Sequence, residues 1–233
     1  MGSTRLPGKV LVDIGGRSML VRVVERTRRA KMIGELIVAT TTASADDAIV
    51  EACQVEGIAV FRGSEEDVLD RYCKAAESLD LDVIVRITAD CPLIDPEIID
   101  QVVTVFLDQA PDYASNVIQR SFPAGLDVEA VDRQVLERVR EEALQKYQRA
   151  HVTSYIYENP DLFRLASVGA EADFSAHRWT VDTPEDLALI REIYKRLQNS
   201  DSSDWRTVVD LLADEPGLAD INRHVRQKKL TEG

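Results

Sequence analysis

The sequence predicts an α/β protein with a mixed, mostly parallel sheet and helices on both of its faces. Short apolar runs rich in Val and Ile alternate with amphipathic segments at short intervals, which is the pattern of βαβ units. The predicted strands are continuously apolar rather than alternating, as strands covered on both faces require. A length of 233 residues with 45% hydrophobic content allows one domain with a sizeable core.

The first half of the chain alternates regularly between helix and strand. Ser18 is the predicted N-cap of a helix that reaches Lys31, with Gly34 as its C-cap. Ser64 and Asp95, the latter followed by proline, are the predicted N-caps of two later helices. The predicted strands lie at 35–40, 58–63 and 82–90, and the further helices at 46–56, 64–79 and 95–108.

The second half is less regular. A helix beginning at Thr183 and Pro184 follows a predicted strand and turn at 177–182. A polar linker at 199–204 separates residues 1–198, the predicted main domain, from a helical tail at 199–233 that Pro216 interrupts. The other predicted elements are strands at 126–131 and 163–168 and helices at 132–145 and 148–158.

Charge and composition exclude several function classes. The net charge of −13 argues against a nucleic-acid surface, and no stretch has the apolar length of a membrane helix. Cys53, Cys73 and Cys91 are widely spaced, which argues against a zinc or disulfide framework and favours the cytoplasm. Residues 1–34 nevertheless carry a net charge of +6, a property that suits a small polyanion. We interpret the basic residues at 22–31 as a solvated helix face.

The opening loop, "MGSTRLPGKV", has the composition of a phosphate-binding loop. It is not a Walker A motif, because five residues separate Gly2 from Gly8 and Val10 replaces the Ser or Thr that would bind magnesium. Backbone N–H groups around Ser3, together with the cations of Arg5 and Lys9, could still cradle a polyphosphate. The alternative is a glycine-rich turn with two solvated cations.

Two aspartates follow predicted strands. Asp90 ends the most apolar strand of the chain, and Asp182 ends the run "RWTVD". Ligands bind outside the carboxyl ends of strands in open α/β sheets, and Mg²⁺ takes one or two protein carboxylates beside substrate phosphates. Asp90 could instead be a turn residue, whereas Glu185 and Asp186 are explained by the helix dipole. The sequence thus predicts a metal site on Asp90 and Asp182.

A polar, glycine-containing loop at 121–127 leads into the less regular half and could hold an acceptor substrate. A plain turn entering a strand is the alternative interpretation. His151, on a predicted helix, could contact the substrate or be a structural histidine, and Trp179 is a predicted core residue. The candidate acceptor residues are Asn116, Arg120, Gly125, Asp127, Glu129 and His151.

The same stretches resemble a known family. The segments "GSTRLPGKVLVDIGG", "VFRGSEEDVLDRY", "VIVRITADCPLIDP", "FPAGLDVEAV" and "RWTVDTPEDL", in this order, resemble the spore-coat polysaccharide cytidylyltransferases. That family is related to the CMP-ketodeoxyoctonate and CMP-acylneuraminate synthetases. The likeness runs from residue 2 to residue 198 and is more specific than any single motif.

The resemblance implies a nucleotide-diphospho-sugar transferase fold, Rossmann-like, and a reaction of CTP with a sugar to give a CMP-sugar and pyrophosphate. It implies Mg²⁺ as the cofactor, and a homodimer is a further expectation. The acceptor is open; if it is a 2-keto sugar acid, its carboxylate needs a cation, for which Arg86, Arg120 and Arg178 are the candidates. The residues matching the family's phosphate loop are Gly2, Ser3, Arg5 and Lys9; those matching its cytidine contacts are Ala39, Thr40, Arg62, Gly63 and Ser64; and those matching its metal ligands are Asp90 and Asp182.

The resemblance also implies a buried strand ahead of Met1, so we expect either a misassigned start or a truncated chain. An inactive nucleotide-binding or assembly protein of the same fold is therefore an alternative. A glycosyltransferase of the same type of fold, using a ready-made nucleotide sugar, is a second alternative; such enzymes usually carry a D-x-D metal motif, and Asp80 and Asp82 have its spacing. They precede a predicted strand, however, which is the wrong end for a ligand.

Overall fold

Strand and helix alternate through the first half of the chain as predicted. The computed structural model describes residues 5–197 and 203–227. The strands are β1 (Asp13–Ile14), β2 (Arg17–Ser18), β3 (Ile37–Thr41), β4 (Ala59–Gly63), β5 (Val83–Arg86), β6 (Tyr113–Ser115), β7 (Glu129–Asp132) and β8 (Leu165–Ser167). The helices are α1 (Met19–Thr27), α2 (Asp47–Val55), α3 (Val68–Ser78), α4 (Pro96–Gln109), α5 (Arg133–Glu142), α6 (Lys146–His151), α7 (Ser154–Glu158), α8 (Pro184–Arg196), α9 (Trp205–Asp214) and α10 (Pro216–Ala219), with 3-10 turns at Lys9–Leu11 and Ser44–Asp46.

The strands pair in both directions. β3 and β4 form a parallel pair, and β1 and β2 form a short antiparallel hairpin. The remaining four strands form a sheet in the order β5-β7-β6-β8, in which β7 is antiparallel to both neighbours and β8 is parallel to β6. The α/β class and the mixed sheet are confirmed. β6, a strand of only three residues, was not predicted, because its apolar run is too short to stand out.

Helices cover both faces of the larger sheet. Neighbouring residues of one strand contribute to different hydrophobic clusters, because successive side chains point to opposite faces. In β7, Ala130 belongs to a cluster that includes α4 and α8, and Val131 belongs to a cluster built on α3 and α5. Trp205, Val208, Leu212 and Leu218 of the tail pack in the first of these clusters, as does Trp179, the predicted core residue.

Several predicted element boundaries are wrong. α1 ends at Thr27 with Arg28 as its C-cap, so Gly34 does not cap it. α3 is capped by Asp67, whose carboxylate accepts the N–H of Asp70; Ser64 Oγ accepts the N–H of Asp67 instead. The predicted helix at 148–158 is divided between α6 and α7, and the predicted strand at 177–182 is reduced to one bridge between Ala124 and Arg178.

Two arginines of α1 are buried, which corrects the prediction of a solvated basic face. Arg22 donates to the carbonyls of Ile14 and Gly15, and it is 5% exposed. Arg26 is 1% exposed and donates from Nε to the Ile94 carbonyl and from Nη2 to the Ser203 carbonyl. Carbonyl acceptors satisfy both guanidinium groups, so burial is tolerated. Arg28, Arg29 and Lys31 are exposed, as the prediction required.

Within the described residues, no helix is both long and apolar enough to span a membrane.

Candidate functional site

One lysine ammonium joins the two predicted metal aspartates. Lys9 Nζ lies 2.7 Å from Asp90 Oδ2, 2.8 Å from Asp182 Oδ1 and 2.9 Å from the carbonyl oxygen of Val181. An ammonium has three N–H donors, and all three have acceptors here. Burial alone would lower the pKa of Lys9, but the charges and hydrogen bonds of the two carboxylates raise it above its ordinary value.

Two chain segments meet to place these carboxylates together. Asp90 lies in a turn beyond the carboxyl end of β5, and Asp182 directly precedes the Thr183 N-cap of α8. The N–H of Val181 donates to the Asp90 carbonyl over 2.8 Å, which ties one segment to the other. This backbone contact holds the two aspartate-bearing segments next to each other.

The second oxygen of Asp182 contacts two guanidinium groups. Asp182 Oδ2 lies 3.1 Å from Arg5 Nη2 and 2.8 Å from Arg178 Nη2. Burial alone would raise the pKa of Asp182, but the hydrogen bonds and charges of Lys9, Arg178 and Arg5 hold it below its ordinary value. Asp182 is therefore ionised at neutral pH, and Arg5 and Lys9 converge on it as a cationic pair. Gly2 and Ser3, the rest of the predicted phosphate loop, lie outside the described residues.

A buried carboxylate supports Arg178 from behind. Asp186, whose side chain is fully buried, accepts hydrogen bonds from Arg178 Nε and Nη2 at 3.0 and 3.1 Å. It also accepts from Asn222 Nδ2 at 2.8 Å and from the N–H groups of Asp182 and Thr183. Burial alone would raise the pKa of Asp186, but these donors lower it below its ordinary value.

The predicted cytidine residues lie at the carboxyl ends of the parallel pair β3 and β4. Ala39 and Thr40 belong to β3, and Thr40 Oγ1 donates to Asp46 over 2.8 Å. Arg62 donates to the carbonyls of Thr41 and Ala43 and pairs with Asp47. These contacts order the loop at the end of β3.

Gly63 and Ser64 continue this group at the end of β4. A Cβ on Gly63 would lie 2.8 Å from Arg71 Cγ, so the glycine allows Arg71 to pack closely. Arg71 Nη1 donates to the Ser64 carbonyl over 2.5 Å, while its Nε is buried with no hydrogen-bond acceptor among the described residues. Arg71 was not singled out from the sequence, because nothing in the pattern of α3 distinguishes it from other surface arginines.

The predicted acceptor loop lies beside the aspartates. Gly125 has φ +105°, and a Cβ there would lie 2.5 Å from the Thr180 nitrogen. Arg120 forms a two-pronged ion pair with Asp127, at 2.7 and 2.9 Å. Asn116, which is 1% exposed, donates to the Leu126 carbonyl and accepts the Val128 N–H. The loop thus reaches the segment that carries Asp182, while the Asn116 amide is engaged by the loop backbone.

Arg86 and Glu129 form a second, separate cluster. Glu129 pairs with Arg86 through one oxygen, and its other oxygen accepts from Tyr113 Oη and from Thr153 Oγ1. Glu129 is 6% exposed, so this carboxylate is buried within the cluster. His151 ends α6, and its carbonyl accepts the N–H of Thr153. Thr153 therefore links Glu129 of β7 to the α6–α7 junction, where His151 lies.

Known proteins resemble this chain over most of its length. The sequence profile of the cytidylyltransferases matches residues 1–219. The chain belongs to the cytidylyltransferase family. It is 36% identical over 226 residues to the spore coat polysaccharide biosynthesis protein SpsF of Bacillus subtilis (strain 168), covering 94% of this chain and 93% of that protein.

Solved structures show the same fold. A cytidylyltransferase from Leptospira borgpetersenii is 32% identical and superposes with a TM-score of 0.91, over 98% of this chain and 95% of that one. The CMP:2-keto-3-deoxy-manno-octonic acid synthetase, solved with CTP, superposes with a TM-score of 0.64 at 21% identity, over 84% and 95% of the two chains. The nucleotide-diphospho-sugar transferase fold is confirmed, and the chain is a nucleotidyltransferase.

The carboxylates of this cytidylyltransferase fit a hard divalent cation. Asp90, Asp182 and the Val181 carbonyl present three oxygens to one cationic atom, and Mg²⁺ prefers oxygen ligands. Within 5–197 and 203–227 there is no group of three or more His, Cys, Asp or Glu side chains arranged for a metal. Two carboxylates are the number expected where substrate phosphates and water complete the coordination.

Part of the candidate site was not predicted from the sequence. Asp186 was explained as a helix-dipole residue, and it does form a capping box with Thr183, but its carboxylate also holds Arg178. Asn222 had no local signal, because its contacts with Asp186 and Arg178 cross 36 and 44 residues of chain. The position of Asp80 and Asp82 does not support the D-x-D alternative. Both precede β5, so they lie at the opposite end of that strand from Asp90.

Proposed function

We propose that this cytidylyltransferase activates a sugar by joining it to CMP, with CTP as the donor and pyrophosphate as the second product. One observation carries the proposal. The Lys9 ammonium contacts both Asp90 and Asp182, and Arg5 also contacts Asp182. The relationship to SpsF supports a role in surface polysaccharide synthesis. Magnesium is the proposed cofactor.

The roles of the residues follow from charge. A sugar hydroxyl attacks the α-phosphorus of CTP, forms the new P–O bond and gives up its proton to bulk water. The bond from that phosphorus to the bridging oxygen breaks, and pyrophosphate leaves with the electron pair. Negative charge grows on the leaving group, and Arg5 and Lys9 would stabilise it by charge-assisted hydrogen bonds. Asp90 and Asp182 would hold Mg²⁺, which, when bound, supplies a Lewis acid for the phosphoryl oxygens. Lys9 would then exchange its carboxylate contacts for phosphate contacts.

Asp182→Ala tests this proposal. We expect the variant to lose pyrophosphate release from CTP and a panel of keto sugar acids in the presence of Mg²⁺. Asp80→Ala is the matched control, because its carboxylate is 94% exposed at the opposite end of β5. Full turnover by Asp182→Ala would contradict the metal assignment. Stabilisation of the wild type against heat by a UDP-sugar but not by CTP would favour the glycosyltransferase alternative.

We propose a 2-keto sugar acid as the acceptor and Arg120 as the residue that binds its carboxylate. Arg86 and Arg178 each hold a buried carboxylate of the protein, Glu129 and Asp186 respectively. Arg120 and Asp127 are each about one-third exposed, at 32% and 34%, so an incoming carboxylate can replace Asp127. Gly125 and Asp127 belong to the same loop, which borders the Asp182 segment.

Substitution of Arg120 tests the acceptor class. For a keto sugar acid, Arg120→Leu should raise KM at least tenfold with little change in kcat. The lost contact would bind the substrate carboxylate equally in the ground state and in the transition state. Arg133→Leu serves as the control, because it removes a guanidinium that pairs with Asp80 near the amino-terminal end of β5. Equal KM values in wild type and Arg120→Leu would contradict the assignment of Arg120. Turnover with neutral sugars alone would contradict the acid class.

The remaining expectations concern the nucleotide, the location and the assembly. We propose that Ala39, Thr40, Arg62, Gly63 and Ser64 border the cytidine of CTP, because they cluster at the ends of β3 and β4. A cytoplasmic location and a homodimer are proposed with it. Sedimentation of the purified protein would test the dimer, and a sedimenting species of monomer mass would contradict it.

A further inference from the structure

Arg178 is held by two carboxylates at once. Its Nη2 donates to Asp182 Oδ2 at 2.8 Å and to Asp186 Oδ2 at 3.1 Å, while its Nε donates to Asp186 Oδ1 at 3.0 Å. The guanidinium side chain is 11% exposed. The two hydrogen bonds to Asp186 fix the orientation of the planar Arg178 guanidinium. The direction from which Nη2 approaches Asp182 is therefore fixed as well.

Asp186 is the anchor of this arrangement. It accepts five hydrogen bonds, from Arg178 Nε and Nη2, from Asn222 Nδ2 and from the N–H groups of Asp182 and Thr183. Its carboxylate therefore holds both the side chain that contacts Asp182 and the backbone nitrogen of Asp182 itself. A buried carboxylate with this many donors is ordered and ionised.

The C-terminal tail completes the anchor. Asn222, which is 4% exposed, donates from Nδ2 to Asp186 Oδ1 at 2.8 Å and to the Arg178 carbonyl at 2.9 Å. Gln227 accepts a hydrogen bond from Arg178 Nη1. The tail segment reaches this position because Trp205, Val208 and Leu218 pack into the main core.

We propose that Arg178, Asp186 and Asn222 are positioning residues that orient the Asp182 carboxylate for the metal. Through Asn222, the C-terminal tail then helps to order the active site. This inference rests on the proposed function, in which Asp182 holds the cation. Lys9 takes Asp182 Oδ1 and Arg178 takes Asp182 Oδ2, so Arg178 sets the plane in which the carboxylate presents Oδ1. Partners that orient metal ligands commonly change metal affinity when they are removed.

Binding of Mn²⁺ in the presence of CTP tests the inference without requiring turnover. The loss of the free Mn²⁺ signal in electron paramagnetic resonance gives the Kd for the full-length chain. Asp186→Asn should raise this Kd about tenfold. The new amide NH₂ group would replace an acceptor oxygen and would face the N–H donors of Arg178 and of the backbone. Asn222→Ala should raise it by a smaller factor, because it removes one of the five hydrogen bonds and keeps the carboxylate.

Leu218→Ala is the matched control. Leu218 is a buried apolar residue of the same tail and contacts none of the three positioning side chains by hydrogen bonding. We expect it to lower the Tm while leaving the Mn²⁺ Kd unchanged. If Asp186→Asn does not fold, Asn222→Ala and Leu218→Ala still form the decisive pair.

The outcomes separate the two proposals. A raised Kd in Asn222→Ala, with an unchanged Kd in Leu218→Ala, supports the positioning role. A Kd unchanged in Asn222→Ala and Asp186→Asn while wild type binds Mn²⁺ with CTP overturns it and leaves the proposed function standing. An equal rise in Leu218→Ala also overturns it, since general loosening of the tail would then be sufficient. Absence of Mn²⁺ binding by wild type would overturn both proposals.

Discussion

In the proposed function, Lys9 and a metal ion would compete for the same oxygens. The ammonium contacts Asp90 Oδ2, Asp182 Oδ1 and the Val181 carbonyl, which are the oxygens that a divalent cation would use. Without a cation, two carboxylates held close by the backbone repel each other. At the scale of the residue, we therefore propose that Lys9 stabilises the metal-free state and that it would become available for phosphate once a metal takes its place.

Lys9→Met tests this competition. We expect the metal-free variant to melt at a lower temperature than wild type and to gain more Tm from added Mg²⁺, because the ion no longer has to displace an ammonium. Pyrophosphate release should fall by about two orders of magnitude, the usual effect of losing one transition-state donor. Lys74→Met, at an exposed ion pair on α3, is the control. A Mg²⁺-induced Tm gain no larger than in wild type would refute the competition.

Gly125 is required at the contact between the acceptor loop and the Asp182 segment. An alanine there would have φ +105° and a Cβ 2.5 Å from the Thr180 nitrogen and 2.6 Å from the Trp179 carbonyl carbon. Gly125→Ala should lower the free energy of unfolding by about 2 kcal/mol or more, from backbone strain and overlap together. Urea denaturation measures it. Gly16→Ala, with φ +85° but no atom within 4 Å of the new Cβ, should cost less.

At the scale of the element, local caps position the helices that carry the site. α8 begins with a Thr183–Asp186 capping box and Pro184 in its first turn, so the sequence predicted its start correctly. The Asp186 carboxylate takes part in the capping box and also accepts hydrogen bonds from Arg178. The local sequence pattern predicts only the first of these roles. α9, which carries the tail into the core, is capped by Asp204, whose carboxylate accepts the Thr207 N–H at 2.7 Å.

The Asp204 cap has a pH dependence of known sign. The hydrogen bonds from the N–H and hydroxyl of Thr207 hold the pKa of Asp204 below its ordinary value. Because the folded pKa is the lower one, its stabilisation is present at neutral pH and is lost as the pH falls below about 4. Asp204→Ala should cost about 1 kcal/mol at neutral pH by urea denaturation, and less in acid.

Asp204→Asn is the control for charge, since asparagine caps nearly as well as aspartate. It should retain most of the stability at neutral pH and lose the acid dependence that Asp204 contributes. A cost for Asp204→Ala that stays constant from neutral pH into acid would contradict the sign given above.

At the scale of the whole molecule, the core excludes all three cysteines from solvent. Burial raises the pKa of the Cys73 thiol to about 12, and it also raises the pKa of Cys53 and Cys91. A buried, protonated thiol is a poor nucleophile. The native protein should therefore show no rapid reaction with a thiol reagent at mildly alkaline pH, whereas the unfolded chain should react at all three positions. Rapid labelling of Cys91 in the native state would indicate that the turn holding Asp90 opens.

The sequence determined much about this protein through local patterns. Apolar runs and caps predicted the α/β class, the start of α8 and the location of Asp90 beyond the carboxyl end of β5, because these signals act over a few residues. The segments around the opening loop and "VDTPEDL" were specific enough to indicate the family. The predicted strand ahead of Met1 stays a prediction.

Only the tertiary structure decided which side chains share a site. The burial of Arg22 and Arg26, the direction of β7 and the reduction of the strand before Asp182 to one bridge depend on neighbours distant in the chain. The contact of Lys9 with Asp182 crosses 173 residues, and that of Asn222 with Asp186 joins the tail to α8. Periodicity and capping act within one element, whereas burial and charge pairing depend on how distant elements pack, and packing assembles this site.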